Sequence, residues 1–288
     1  MTPRTIGILH PGEMGVAVGA TLDNSGHDVF WTSEGRSAET HRRAAAAGLK
    51  DAGTVATLCR KCDAIVGVCP PEFAEAMAHQ IGDYGFGGLY IDANAVSPEK
   101  VLRIGRMIEA GGARFVDACI IGLPPSTRGE TWMYLSGPYA QEAAACFTAG
   151  PLEGEVLDGE IGKASALKMV FAAHTKGLAA LRAAVLATAE ELGVLRELER
   201  QWSRSGPPFA QVVGSLQHAA PKAWRFVAEM QEIAATFEGA GIPGGFHRAA
   251  GEIFTRLGGF KGASKVELED ALQKLVPCPP KFRATNQR

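Results

Sequence analysis

Apolar positions fall into two regimes along this chain. Through residue 160 or so, short β-branched runs alternate with Ala-rich stretches, and strands are expected at Thr5–Leu9, Asp28–Thr32, Ala64–Val68, Leu89–Asp92, Phe115–Ala118 and Thr131–Ser136. Helical segments such as Met14–Ser25, Ala38–Ala47 and Pro71–Ile81 lie between the first four. A parallel sheet covered by crossover helices produces this alternation, so residues 1–160 are expected to form a doubly wound, Rossmann-like α/β domain. From Gly162 to Gly193 the chain is rich in Ala and Leu and has no Pro. About thirty helical residues at ~1.5 Å each make a rod on the order of 45 Å long, which predicts an interdomain helix. Helical stretches follow at Leu195–Ser203, Phe209–Gln217, Lys222–Glu238 and Gly245–Arg256, with no strand pattern. Residues 161–288 are therefore expected to be an all-α domain, opened by that helix. The tail from Pro277, with Pro279 and Pro280, is expected to fray.

Composition narrows the partners. A chain of 288 residues suits two domains. With 29 Lys+Arg against 31 Asp+Glu and a net charge of −2, it lacks the basic surface that nucleic-acid binding requires. No apolar run is read as approaching the ~18–20 residues of a membrane span, and no leader is expected. Six cysteines are too sparse for a disulfide framework, which places the protein in a reducing cytoplasm. Cys59 and Cys62 form a C-x-x-C at the end of a helix with no second pair, so no metal site is expected.

The first loop carries the clearest chemistry. After the strand ending at Leu9 come His10-Pro11-Gly12-Glu13-Met14-Gly15 and a helix. Gly12 lets a pyrophosphate approach the backbone, Gly15 lets helix and strand pack closely, and the helix N-terminus offers N–H donors. His10 stands where the first glycine of G-x-G-x-x-G is usual. At the end of the second strand an NAD site usually has an acid, whereas here Thr32-Ser33-Glu34-Gly35-Arg36-Ser37 offers hydroxyls and a guanidinium. Ser33, Arg36 and Ser37 make a candidate cradle for a 2′-phosphate, favouring NADP(H) over NAD(H), although Glu34 can also reach a ribose. The loops Cys69-Pro70-Pro71 and Asp92-Ala93-Asn94 end later strands and are expected to line the cofactor cleft. Asn94 offers an amide donor and acceptor for the nicotinamide or its ribose, or else forms a turn or helix cap ahead of Pro98.

Gly12-Glu13-Met14-Gly15, Asp92-x-Asn94-x-x-Ser97-Pro98, Asp117-Ala118-Cys119-Ile120-Ile121-Gly122 and Gly162-x-Ala164-x-x-x-Lys168 together resemble the β-hydroxyacid dehydrogenases. That group includes 6-phosphogluconate and 3-hydroxyisobutyrate dehydrogenases. Ala164–Met169, Thr175–Gly177, Lys222–Phe226 and Gly245–His247 are similar to a less characterised branch ending in a helical domain of unknown function. The resemblance implies hydride transfer between NAD(P) and an oxygen-bearing carbon, a homodimer, and Lys168 as acid/base. Lys168 also suits that role by itself, since burial in an apolar run lowers an ammonium pKa toward working pH. It shares a helix face with Ala172 and Thr175.

Two positions depart from the family pattern. Ile121 stands where the substrate loop commonly has Ser, and Ala172 where the lysine helix commonly has Asn, which points to a less polar or larger substrate. Gly122, Thr175, Lys176, Arg225 and His247 are the candidate substrate contacts. Trp202, Trp224, Phe226, Phe237 and Phe246 are read either as an aromatic pocket or as core. The alternatives to a carbonyl-reducing enzyme are an imine reductase, against which Lys168 argues, and an NADP-binding regulatory protein without catalysis.

Overall fold

The computed structural model describes residues 2–276; the tail expected to fray, 277–288, lies outside the described residues. The chain opens with β1 (Thr5–Ile8), α1 (Glu13–Asn24), β2 (Asp28–Trp31), α2 (Ala38–Ala46), β3 (Lys50–Asp51), α3 (Val55–Lys61) and β4 (Ala64–Gly67). It continues through α4 (Ala74–Asp83), β5 (Leu89–Asp92), α5 (Pro98–Ala110), β6 (Arg114–Ile121), β7 (Thr131–Ser136), α6 (Ala140–Ala144) and β8 (Leu152–Val156). The remainder is helical: α7 (Lys163–Glu191), α8 (Leu195–Ser205), α9 (Phe209–Ala219), α10 (Ala223–Gly239), α11 (Gly245–Leu257) and α12 (Leu268–Leu275).

All eight strands form one sheet in the order β3-β2-β1-β4-β5-β6-β7-β8, parallel except for the β6–β7 pair. The order reverses beside β1, so the carboxyl ends of β1 and β4 flank the crevice where open α/β sheets bind ligands. Two apolar layers cover the sheet. Ile6, Ile8, Leu89, Ile91 and Val116 belong to one; Leu9, Ile65, Tyr90 and Phe115 belong to the other. This is the alternation expected of strands buried on both faces. Two short edge strands were not legible as apolar runs, because β3 is Lys-Asp and β8 is interrupted by Glu and Gly.

The chain divides into two compact units, Met1–Met169 and Val170–Arg288. The first unit therefore includes the opening turns of α7, which a boundary at residue 160 assigns to the second. Among the described residues, α7 is long and apolar enough to cross a bilayer by length and composition. This corrects the expectation that no segment approaches that size: Lys176 and Arg182 interrupt the run without making the average polar. Its first turns are nevertheless tied to the sheet through Ser165 and Lys168, as in a helix that packs on protein.

Candidate active site

The end of β1 and the start of α1 are shaped by glycine. A Cβ at Gly15 would lie 2.0 Å from the His10 carbonyl oxygen, so only glycine lets the helix close onto the loop. At Gly12, the N-cap, an added Cβ meets nothing within 4 Å, and no side chain caps the helix. The N-terminus of α1 is thus open to an anion. Around it Pro11 is buried, Met14 half-buried and Glu13 exposed.

Arg36 folds back over this loop instead of lying in solvent. Its Nη2 donates to the Leu9 carbonyl at 3.3 Å, which also accepts the Thr32 hydroxyl at 3.1 Å. Its Nε is buried without a partner among the described residues, as is His10 Nδ1. Burial, reinforced by the Arg36 charge, brings the His10 imidazole down to about 4, leaving it neutral at physiological pH. Buried polar atoms normally find partners, so two orphaned nitrogens beside an open helix N-terminus fit a dinucleotide phosphate. Ser33 is half-buried and donates its backbone N–H to the Gly53 carbonyl at 3.0 Å. Ser37 caps α2, accepting the Thr40 N–H at 3.2 Å.

Asn94 links two of the predicted loops. Its Oδ1 accepts the Cys69 N–H at 2.6 Å, its Nδ2 donates to Asp92 Oδ2 at 3.0 Å, and its N–H donates to Asp92 Oδ1 at 3.1 Å. The side chain thus shapes the cleft floor from the inside. Pro70 is exposed, and Pro71 is buried at the start of a short 3-10 turn, Pro71–Phe73. Burial pushes the Cys69 thiol up to about 12, which removes it as a nucleophile. The Cys59 and Cys62 thiols are free and likewise pushed up, to about 11 and about 12.

Lys168 comes off the second turn of α7 and donates from Nζ to the Ile120 carbonyl at 2.7 Å, at the carboxyl end of β6. Burial lowers its pKa below the ordinary lysine value, and among the described residues it forms no ion pair. Gly122 follows with φ +134°, and a Cβ there would meet Thr131 Oγ1 at 2.3 Å. This glycine is needed to turn the chain tightly at the strand end.

Two buried acids escaped the sequence reading as functional groups. Asp92 and Asp117 are register partners on β5 and β6, next along the same face after the stacked Tyr90–Phe115 pair. Burial pushes Asp92 up to about 7, with Asp117 adding to the rise and the Asn94 donors opposing it. Asp117 accepts from Ser136, Ser165 and three backbone N–H groups of the α7 start. The available signal was an acid inside an otherwise apolar parallel strand, which needs partners to be buried.

The second unit holds the other candidate substrate residues. Lys176 pairs with Glu229 and lies 4.8 Å over the Phe226 ring. The Thr175 hydroxyl donates to the Phe171 carbonyl at 3.2 Å. Arg225 sits 5.7 Å from the centre of the Trp224 ring. His247 is buried against Phe237 and Phe246, its Nδ1 has no partner, and burial lowers its pKa. The aromatics do not gather in one cluster: Trp202 packs on Phe209, Phe226 on Phe254, and Trp224 is part-exposed under Lys261.

Residues 5–145 match the NAD binding domain of 6-phosphogluconate dehydrogenase, and residues 189–257 match a domain of unknown function, DUF1932. An uncharacterised 28.5 kDa protein of Methanothermus fervidus is 32% identical over 193 residues, 65% of this chain and 74% of that protein. The chain belongs to the β-hydroxyacid dehydrogenase family. This family member carries the DUF1932 domain behind its NAD-binding domain, which supports the broad class of NAD(P)-dependent oxidoreductase.

Its fold recurs in a conserved protein of unknown function described as structurally similar to 3-hydroxyacid dehydrogenases. There the identity is 26% and the TM-score 0.66, over 94% of this chain and 99% of that one. The 3-hydroxyisobutyrate dehydrogenase of Mycobacterium tuberculosis shares the fold at 16% identity and TM-score 0.69, over 95% and 99% of the two chains. A reductive aminase of Aspergillus terreus shares it at 16% identity and TM-score 0.53, over 94% and 99%.

Proposed function

We propose that this chain is an NADP(H)-dependent oxidoreductase that interconverts a hydroxy and a keto compound, with Lys168 as general acid/base, working as a homodimer in the cytoplasm. The observation that carries it is the half-buried Lys168 side chain, whose amine donates to the Ile120 carbonyl at the carboxyl end of β6 and, among the described residues, forms no ion pair. The nicotinamide supplies hydride when bound. Lys168, protonated, donates to the carbonyl oxygen in reduction; deprotonated, it removes the hydroxyl proton in oxidation. Burial lowers its pKa below the ordinary lysine value, which brings the neutral, proton-accepting amine within easier reach. Reduction therefore slows as pH rises through a midpoint below that of ordinary lysine.

Arg36 supports the NADP assignment, because its guanidinium folds over the loop that opens α1, where a phosphate oxygen would find a cationic donor. Arg36→Leu should weaken NADPH binding about tenfold or more and leave NADH nearly unchanged; equal losses reject the preference. Ile121 and Ala172, in place of polar family residues, favour a less polar substrate.

The deciding experiment follows NADPH oxidation across carbonyl and imine substrates with wild type and Lys168→Ala. A loss of about 10²–10⁴ in carbonyl reduction with cofactor binding retained is expected. An unchanged rate rejects the acid/base role, imine-only turnover moves the protein to imine reduction, and NADPH binding without any turnover moves it to regulation. Light scattering of the purified protein tests the dimer.

A further inference from the structure

We propose that Asp117 is the positioning residue for Lys168: its carboxylate fixes the first turn of α7 on β6 and so sets where the lysine amine stands. This rests on the role of Lys168 proposed above.

The first N–H groups of any helix lack intrahelical partners, and a side chain just before the helix normally accepts them. The residue before α7 is Gly162, with φ +102° and no side chain to offer. Asp117 supplies the missing acceptor from the adjacent sheet. Its Oδ2 takes the N–H groups of Gly162, Ala164 and Ser165 at 2.8, 3.0 and 3.2 Å and the Ser136 hydroxyl at 2.9 Å. Its Oδ1 takes the Ser165 hydroxyl at 2.7 Å. Ser136 Oγ accepts the Ala164 N–H as well, at 3.0 Å. A buried negative charge at this helix end also complements the macrodipole.

Lys168 lies one turn beyond Ala164 and Ser165, and its amine bonds to Ile120, on the same strand as Asp117. One strand therefore holds a single stretch of helix at two points, a carboxylate below and a carbonyl above. Rotation or axial slip of α7 breaks one contact or the other. Asparagine can replace the aspartate geometrically, with its carbonyl accepting the backbone N–H groups and its amide donating to the Ser165 hydroxyl. Alanine cannot.

The test combines kcat for a carbonyl substrate with competitive acetic-anhydride labelling of Lys168, read by mass spectrometry across pH. Asp117→Ala should lower kcat at least about tenfold, with NADPH affinity held within about twofold, and should move the Lys168 labelling midpoint up toward ordinary lysine. Asp117→Asn should recover most of both. In a Lys168→Ala background, Asp117→Ala should cost no further activity, because the two act as a unit. Unchanged labelling in Asp117→Ala, or an equal loss of rate in the Lys168→Ala background, overturns the proposal. If Asp117→Ala does not fold, Ser165→Ala removes one contact alone and should raise the labelling midpoint; no change overturns it equally. If Lys168→Ala leaves turnover intact, the acid/base reading fails, while the labelling still decides whether Asp117 places the amine.

Discussion

Two of the three lysines of helix α7, Lys168 and Lys176, stand two turns apart, and their surroundings treat them in opposite ways. Lys168, in the first unit, is half-buried with a neutral carbonyl as partner, and desolvation lowers its pKa. Lys176, in the second, is met by the Glu229 carboxylate and the face of Phe226. The same side chain on the same helix thus meets a neutral carbonyl in one place and a carboxylate in the other. The proposed chemistry belongs to the carboxyl edge of the sheet, where the Lys168 amine reaches the end of β6. The helical unit spends its buried charge on packing.

The largest effect that would break this contrast is the loss of about 10²–10⁴ in carbonyl reduction on Lys168→Ala, with a melting temperature near wild type. Glu229→Gln should do the reverse: it leaves the Lys176 ammonium mostly buried without its counter-charge and should destabilise the fold by about 3 kcal/mol, measured by denaturant unfolding. Replacing both partners with Met should recover much of that stability, and failure to recover would mean the pair does more than pack.

Asp92 gives an intermediate effect. Its folded pKa, about 7, lies above its unfolded value, so the folded state binds the proton more tightly. Its stabilising contribution is complete below the unfolded pKa near 4 and is lost as pH rises toward 7, with a slope of at most ~1.4 kcal/mol per pH unit. Asp92→Asn should flatten the unfolding free energy over that window; an unaltered profile would assign the titration elsewhere. The smallest effect is expected for His247→Leu. The imidazole is buried among aromatics with an unpartnered nitrogen, so an apolar replacement should change stability by no more than about 1 kcal/mol. A loss of kcat/KM beyond about tenfold would restore it as a substrate contact.

Much of this was legible in the chain. The dinucleotide loop was readable because Gly12 and Gly15 act through local backbone geometry, and the close approach of His10 at Gly15 is the reason for the spacing. Lys168 stood out as a cation within a small, apolar run, Ala164–Ala173. Asp92 and Asp117 as functional groups were not, because their partners lie in other loops and strands. Nor was the use of Asn94 as a link between loops, since its contact with the Cys69 N–H spans from β5 to β4. Lys176 and His247 looked like free polar groups because their covering residues, Glu229 and Phe237, arrive from a different helix.

Periodicity and glycine placement, properties of neighbouring residues, were enough to determine the succession of strands and helices, the nucleotide loop and the change to an all-helical second half. Which buried polar groups meet was decided only by the tertiary structure. Asp117 finds the start of α7 across 45 to 48 residues of intervening chain, and a pairing at that separation leaves no periodic trace, because it depends on sheet order and on the angle at which a helix returns to its strand.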